Sequence, residues 1–464
     1  MLAGLRSRFG LVVVALGVVG AVQGLVYVPF AGPFLGDSPS YIAPARAIRD
    51  GSYSTPLRDV DVTGLAIPES AQGALERQTY RTPGYPLLLA ATGWGGPGRP
   101  YLLIVVQALL AGAAVSLLAL TARRLWGERV GLLAGALAAL DPYPKHYVPR
   151  VLSEALAGFL VAVAAYAFVR AWQSRSPLWW AGAGAATAAL TLTRPLFVLA
   201  VPLVVIGALV ARSWRGAVAC AAACALLLGP WLAWEANATG RVTVSSFGEG
   251  WNLLIAAHGE GYGRTAVEVE NDPAYQRDFS SVHRFAPPAA ELRRDPKAHP
   301  HYLARADAEQ RRLARALYGK RLRHEPLTVL AEIAYRGYFL WMAHEDWVQP
   351  RGVVWLLRAL DWVTLLLAVI GAAYAFRLGG AGRALALFLL LFTAVNALHH
   401  VEARYAMPVR GLEVSFLGLA LTTLRVPRQR RQEQRRHPDH RAREVPHGGQ
   451  VRLGQPEHGG GGED

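Results

Sequence analysis

Long uncharged apolar stretches constrain this chain more than any other feature. Phe9 to Gly36 contains no charged residue, and neither does the stretch from Pro100 to Ala122. About 20 mainly apolar residues are enough for a helix to cross the hydrocarbon core of a bilayer. Eight further apolar runs follow, separated by short basic loops. The sequence therefore predicts about ten transmembrane helices, and the first run, longer than a signal-peptide core, is interpreted as a retained anchor.

The net charge of +15 is distributed unevenly along the chain. With the N-terminus placed inside, the short loops on the cytoplasmic side carry a net +10 and the tail from 425 to 464 adds +3. Lys and Arg accumulate in cytoplasmic loops of membrane proteins, so this excess indicates orientation. No basic face with interleaved aromatic residues occurs outside the tail, which argues against nucleic-acid binding.

Two polar segments interrupt the apolar runs, and both fall on the predicted outer side. The first closes on Tyr80–Pro86, which leads into a short apolar stretch typical of a helix at the membrane interface. The predicted fold is an all-α polytopic membrane protein with ten spans, both termini in the cytoplasm and juxtamembrane helices in the first loop. The predicted modules are 1–234 with spans 1–7 and a first outer loop at 37–100, an extracytoplasmic loop region at 235–352, spans 8–10 at 353–424, and a disordered basic tail at 425–464.

Ionisable residues gather at the predicted outer ends of the spans. Such groups are expensive near a bilayer and therefore mark candidate functional positions. Asp37 follows span 1, and two interpretations stay open for it: a helix N-cap or a functional carboxylate. Glu154, at the start of span 4, has the same two alternatives. The arrangement points to an active face on the extracytoplasmic side.

Six sequence segments appear in an order and spacing that match a known family. They are Gly36-Asp-Ser-Pro-Ser-Tyr41, Arg81-Thr-Pro-Gly-Tyr-Pro-Leu-Leu-Leu, Leu152-Ser-Glu-Ala-Leu, Leu192-Thr-Arg-Pro, Gly229-Pro-Trp with the following Gly240-Arg-Val, and Glu402-Ala-Arg-Tyr. Together they resemble the GT-C superfamily of polytopic glycosyltransferases, specifically its protein O-mannosyltransferase-like and aminoarabinose-transferase-like group. Members of this group take the sugar from a polyprenyl-phosphate-linked donor.

The resemblance implies a role for each candidate residue. Asp37 corresponds to the catalytic base, and single displacement by an acceptor hydroxyl would invert the anomeric centre. The other implied roles are a second acid at Asp141 or Glu154, donor phosphate binding by Arg81, Arg194, Arg404, Lys145, His399 and His400, and a substrate pocket at Tyr41, Tyr85 and Tyr405. The implied partners are the lipid-linked sugar, an unidentified acceptor and membrane lipids.

Departures from the family pattern leave the substrates open. Asp37 is followed by Ser38 where many relatives have a second acid, and the Arg81 segment lacks the Lys-Pro-Pro form of the aminoarabinose enzymes. Asp37 with Asp141 could hold a divalent ion, although no spacing of ligands is strong enough to name a metal. Two alternatives remain: a transporter or flippase of lipid-linked sugars, and a binding subunit without activity.

Overall fold

The computed structural model describes residues 8–56, 75–77, 80–93, 99–245, 248–261, 264–281, 302–342 and 354–436. The chain forms two compact units, Met1–Thr422 and Thr423–Asp464. The second unit contains the end of the last helix, which continues to Arg436. The rest of the tail, for which disorder is predicted, lies outside the described residues. All further description concerns the first unit.

Helices account for nearly all of the described structure. Those of the first half are α1 (Arg8–Val26), α2 (Ser38–Arg49), α3 (Gly84–Ala91), α4 (Tyr101–Trp126), α5 (Glu128–Leu140), α6 (Pro142–Lys145), α7 (Glu154–Ser174), α8 (Pro177–Thr193), α9 (Ala200–Val210) and α10 (Trp214–Thr239). Those of the second half are α11 (Glu249–Ala257), α12 (Ala266–Glu270), α13 (Pro273–Ser280), α14 (Tyr302–His324), α15 (Pro326–Phe339), α16 (Val354–Leu378), α17 (Gly380–Ala397) and α18 (Arg410–Arg436).

Two 3₁₀ turns and a small ribbon complete the described structure. The turns are Pro195–Leu199, which leads into α9, and Ala403–Ala406, which precedes α18. The ribbon pairs β1 (Ser54–Pro56) with β2 (Leu75–Arg77) in antiparallel fashion within the predicted first outer loop. Helices α11 to α15, here called the loop-region helices, belong to the polar segment between α10 and α16.

Among the described residues, six helices are long and apolar enough to cross a membrane: α1, α4, α7, α10, α16 and α17. Large apolar side chains remain exposed along them, including Leu11, Leu109, Leu226 and Leu366. Such side chains are stable when they face lipid, so the chain is a multi-pass membrane protein. The predicted number of ten spans is not confirmed, because α5 has 13 residues and α8 has 17.

Small residues bring α1 and α4 into backbone contact. A Cβ atom added to Gly17 would lie 2.4 Å from Ser116 Oγ, and one added to Gly112 would lie 2.4 Å from the Gly17 carbonyl oxygen. Lipid gives apolar helices no hydrophobic reason to associate, so close packing of small residues supplies the contact instead. This contact fixes α1, and with it the point where the chain enters the loop that carries Asp37.

A buried ion cluster joins the first and last parts of the bundle. The Arg410 guanidinium on α18 lies 3.1 Å from Asp141 Oδ2, 2.7 Å from Glu413 Oε2 and 3.3 Å from Asp361 Oδ1 on α16. All four side chains are buried. Asp141 is one of the predicted site acids, whereas its three partners in this cluster are absent from the predicted residues.

Replacing Arg410 with Gln should destabilise the protein severely. Its loss leaves three carboxylates without their shared cation, and breaking a buried ion pair from one side costs about 3–5 kcal/mol. The thermal unfolding midpoint of the detergent-solubilised protein measures the effect. The matched control is Arg129→Gln on the exposed start of α5. Equal midpoints for the two variants would contradict a stabilising role for the cluster.

Candidate functional site

Two arginines hold Asp37, one from each end of the chain. Arg81 Nη2 lies 2.9 Å from Asp37 Oδ1, and Arg404 Nη2 lies 2.8 Å from Asp37 Oδ2. The Asp37 side chain keeps 21% of its surface exposed, and those of Arg81 and Arg404 keep 15% and 16%. The structure thus brings together the predicted base and two predicted phosphate-binding residues, and all three side chains stay partly exposed.

The Asp37 carboxylate does not cap the helix that follows it. Asp37 occupies the N-cap position of α2, but its side chain makes no capping hydrogen bond. Arg81 instead spans the first turn of α2: its Nε donates to Ser40 Oγ at 2.7 Å and its Nη1 to the Tyr41 hydroxyl at 3.2 Å. The Tyr53 hydroxyl donates to the Arg81 carbonyl oxygen at 2.9 Å. Side chains in the first turn of α2 therefore position Arg81, and the Asp37 carboxylate is free of capping contacts and faces Arg81 and Arg404.

A second ion pair forms where α7 begins and α8 ends. Arg194 Nη1 lies 3.0 Å from Glu154 Oε1, while Glu154 Oε2 is buried with no hydrogen-bond partner in the described part of the chain. Gly84, at the start of α3, allows the close approach here: a Cβ atom would lie 2.6 Å from Thr193 Oγ1 and 2.7 Å from the Leu192 carbonyl oxygen. The glycine in the Arg81 segment is thus required by packing beside Arg194.

Tyr405 connects the two ion pairs. Its ring lies 5.8 Å from the guanidinium carbon of Arg194 and 5.8 Å from that of Arg404. Tyr41 lies beside Arg81, with its hydroxyl 3.2 Å from Ser153 Oγ and its ring edge-on to Tyr85 at 5.0 Å. Tyr85 itself is fully buried and donates to Gln107 Oε1. The three predicted pocket tyrosines therefore adjoin the cations, although Tyr85 supports Tyr41 from the core.

The remaining candidates lie apart from the Asp37 pair. Lys145 is buried and donates to the Ala138 carbonyl oxygen, and Asp141 is held by Arg410. His399, two residues beyond the end of α17, has its Nδ1 2.9 Å from the Val395 carbonyl oxygen of that helix. His400 lies between two carboxylates, 2.6 Å from Glu260 Oε1 and 3.6 Å from Glu402 Oε1. Glu402 in turn contacts Arg404, so the histidine connects to the site through this glutamate.

Neighbouring charges set the ionisation of these groups. Burial raises the pKa of Asp37, but the guanidinium groups of Arg81 and Arg404 outweigh it and hold that pKa below its ordinary value. Burial likewise opposes the charge on Glu402, yet Arg404 and His400 lower its pKa to about 2. Burial lowers the pKa of His400, but Glu260 and Glu402 raise it to about 9. Asp37 and Glu402 are therefore ionised and His400 is protonated near neutral pH.

The predicted metal pair does not fit a divalent ion in this arrangement. Both oxygens of Asp37 face guanidinium groups, and Asp141 Oδ2 faces Arg410. Among the described residues, no group of three or more His, Cys, Asp or Glu side chains could hold a metal. Each of the two acids is therefore committed to arginine, and they belong to separate clusters.

Known proteins share this architecture. Residues 100–234 match the model of a family described as dolichyl-phosphate-mannose-protein mannosyltransferase. An oligosaccharyltransferase of Archaeoglobus fulgidus, tethered to an acceptor peptide, superposes with a TM-score of 0.50 at 14% identity over 91% of this chain and 50% of that one. The fold is of the GT-C type. No curated protein sequence matches the chain significantly.

Two further structures extend the comparison. The same archaeal enzyme, AglB, in complex with an inhibitory peptide and a dolichol-phosphate, gives a TM-score of 0.50 at 12% identity over 94% of this chain and 53% of that one. ArnT from Cupriavidus metallidurans, bound to undecaprenyl phosphate, gives a TM-score of 0.37 at 14% identity over 89% and 78%. The chain described here spans about half the length of the archaeal oligosaccharyltransferase.

The His400 and Glu402 charges should give stability a pH optimum. The pKa of His400, about 9 against an ordinary 6.5, means that its contribution is complete below pH 6.5 and is lost as the pH rises through about 9. The pKa of Glu402, about 2 against 4.5, means that its contribution is present above pH 4.5 and is lost as the pH falls through about 2. Thermal unfolding midpoints should therefore be highest between these ordinary values. In His400→Gln, the midpoint should fall less steeply as the pH rises above 6.5. A fall as steep as that of the wild-type protein would contradict the contribution assigned to His400.

Proposed function

We propose that this chain is a membrane glycosyltransferase that transfers a sugar from a polyprenyl-phosphate-linked donor to an extracytoplasmic acceptor hydroxyl. The observation that carries the proposal is the carboxylate of Asp37 held between Arg81 and Arg404, with Arg194 beyond Tyr405. This combination places one anionic base among three cations. Glycosyl transfer from a phosphate needs both, since a proton must leave the acceptor and a phosphate must depart.

The arginines suit the leaving group. As the bond between the anomeric carbon and the phosphate oxygen breaks, the electron pair passes to the polyprenyl phosphate. Guanidinium groups donate paired hydrogen bonds that match phosphate oxygens, and fixed cations stabilise charge as it develops. The phosphate would lie near Tyr405, within reach of Arg194 and Arg404, and its lipid chain would extend into the bilayer.

Donor binding should also activate the base. With two guanidinium groups on its oxygens, Asp37 has a lowered pKa and is a weak base. A phosphate that draws Arg81 and Arg404 toward itself would remove part of this stabilisation and raise the proton affinity of Asp37. The acceptor oxygen would then attack the anomeric carbon while its proton moves to Asp37, which inverts the anomeric configuration.

Glu154 offers a contact for the transferred sugar. One of its oxygens pairs with Arg194, and the other is buried without a hydrogen-bond partner among the described residues. A buried unpaired acceptor is costly, and a sugar hydroxyl would satisfy it. We therefore assign Glu154 to substrate binding and leave Asp141 to the Arg410 cluster.

Mass spectrometry of cell-envelope glycans tests the function while the sugar and the acceptor are still unidentified. A host that lacks the protein should lose a glycan species that the intact gene restores. An unchanged glycan profile would overturn the proposal. Movement of labelled lipid-linked sugar across vesicles without any glycosidic product would instead identify a flippase.

Asp37→Asn should abolish transfer in proteoliposomes supplied with the lost glycan's lipid-linked donor. General-base catalysis contributes about 10²- to 10⁴-fold, and asparagine cannot accept the proton. Expression and thermal unfolding should remain measurable, which separates chemistry from folding. The matched control is Asp50→Asn at the exposed C-terminal end of α2. Full transfer by Asp37→Asn would show that another group is the base.

Arg194→Gln should weaken binding of polyprenyl phosphate to the purified protein by about tenfold or more. The magnitude follows from the roughly 1.5–3 kcal/mol that hydrogen bonds to charged groups contribute. Titration of undecaprenyl phosphate in detergent gives the dissociation constant directly. Arg315→Gln, an exposed position on α14, is the control. An unchanged dissociation constant would show that Arg194 pairs with Glu154 but does not bind the donor phosphate.

A further inference from the structure

His400 is buried where the turn that follows α17 meets the turn that follows α11. Its Nδ1 lies 2.6 Å from Glu260 Oε1, in the turn after α11, and its Nε2 lies 3.6 Å from Glu402 Oε1. The backbone N–H of His400 donates to the Asn252 carbonyl oxygen at 2.9 Å. The Trp251 ring packs edge-on against the imidazole at 5.4 Å. These contacts fix both the place and the orientation of the ring.

Ion pairs continue from His400 without interruption to the candidate base. Glu402 contacts Arg404, which contacts Asp37, which contacts Arg81. The six groups alternate in sign along this path: Glu260, His400, Glu402, Arg404, Asp37 and Arg81. Each buried charge is compensated by its neighbours, so the loss of one leaves the next unpaired.

The far end of this path is anchored in the loop-region helices. Arg336 of α15 is buried and donates to the Glu260 carbonyl oxygen, and its Nε donates to the Ala397 carbonyl oxygen at the end of α17. Arg336 Nη2 also donates to the Tyr318 hydroxyl of α14. Arg336 therefore holds both Glu260 and the end of α17. His400 links Glu260 to the turn that carries Arg404.

We propose that His400 is a positioning residue for the transfer reaction: it holds Glu402 against Arg404 and thereby keeps Arg404 on Asp37, so the loop-region helices set the geometry of the base. This inference rests on the proposed function and extends it to a residue that touches neither substrate. An imidazolium hydrogen-bonds Glu260 from Nδ1 and attracts Glu402 by its positive charge across 3.6 Å, whereas a neutral ring has no charge to hold the second glutamate. When the imidazole is neutral, no positive charge separates Glu402 from Glu260, and the two carboxylates repel each other. Glu402 is then no longer held in place against Arg404.

The charged groups around His400 determine its pH response. The titratable Tyr405 ring also lies edge-on to the imidazole, at 6.4 Å. The charged groups are Glu260 from the turn after α11, Glu402 from its own turn and, farther away, Glu270 from α12. All three are acidic and favour the protonated ring, in agreement with its pKa of about 9. Transfer by the wild-type protein should consequently decline as the pH rises through about 9.

The test is the pH profile of glycan transfer in native membranes, which contain the endogenous donor and acceptor. His400→Gln should reduce transfer about 10- to 100-fold near neutral pH, because a misplacement of about 1 Å at a reacting group has this effect. Its profile should lack the wild-type decline near pH 9. His400→Lys keeps a cation between the glutamates and should recover part of the activity, with the decline moved to higher pH because the ordinary pKa of lysine is about 10.4.

The control is His258→Gln, which removes another histidine of the loop region, paired with Asp278 outside this path. It should transfer at the wild-type rate, and folded protein is quantified for every variant. Wild-type rates and pH profile in His400→Gln, with Asp37→Asn inactive, would overturn the positioning role alone. Equal defects in His400→Gln and His400→Lys with a retained alkaline decline would also overturn it. Unchanged glycans in a host lacking the protein would overturn the proposed function and this inference with it.

Discussion

The structure depends on the compensation of charge in a medium that does not solvate it. At the helix ends, each carboxylate of the site is placed against a guanidinium or an imidazole, and the arginines come from distant parts of the sequence. Pairing of this kind adds little stability over an apolar core, but it strongly penalises any arrangement that separates the partners. The ion pairs therefore specify which helix ends meet, and the candidate site lies where those ends come together.

The sequence predicts the helices and most of the site but not its pairing. Apolar runs locate the helices because the bilayer imposes a length on them. Asp37, Arg194 and Arg404 could be selected because charge at a span end is rare. Arg81 was selected because its segment resembles the family pattern, and the structure brings it to Asp37. Which acid meets which cation depends on contacts between segments more than 300 residues apart, as in the Asp37–Arg404 pair. No local pattern contains that information.

The predicted second acid, Asp141, illustrates the same limit, because its partners could not be read from the sequence. Asp141 follows a span in the expected position, yet Arg410 holds it together with Asp361 and Glu413. A signal was present, since Asp361 stands within an apolar run and an acid there requires a partner. The glycine in the Arg81 segment, by contrast, has a packing role that only the three-dimensional structure reveals. Gly84 admits the backbone of Leu192 at a distance that a side chain would block.

The Arg410 cluster has a consequence for the order in which the protein is made. Ribosomes deliver α6, with Asp141 at its start, long before α16 brings Asp361 and α18 brings Arg410. Until α18 has been made, Asp141 and Asp361 lack the guanidinium that pairs with them. A chain that ended before α18 would leave both carboxylates without their cation, and removing one side of a buried ion pair is strongly destabilising. Charge compensation in this part of the bundle thus depends on α18, which follows every other described helix along the chain.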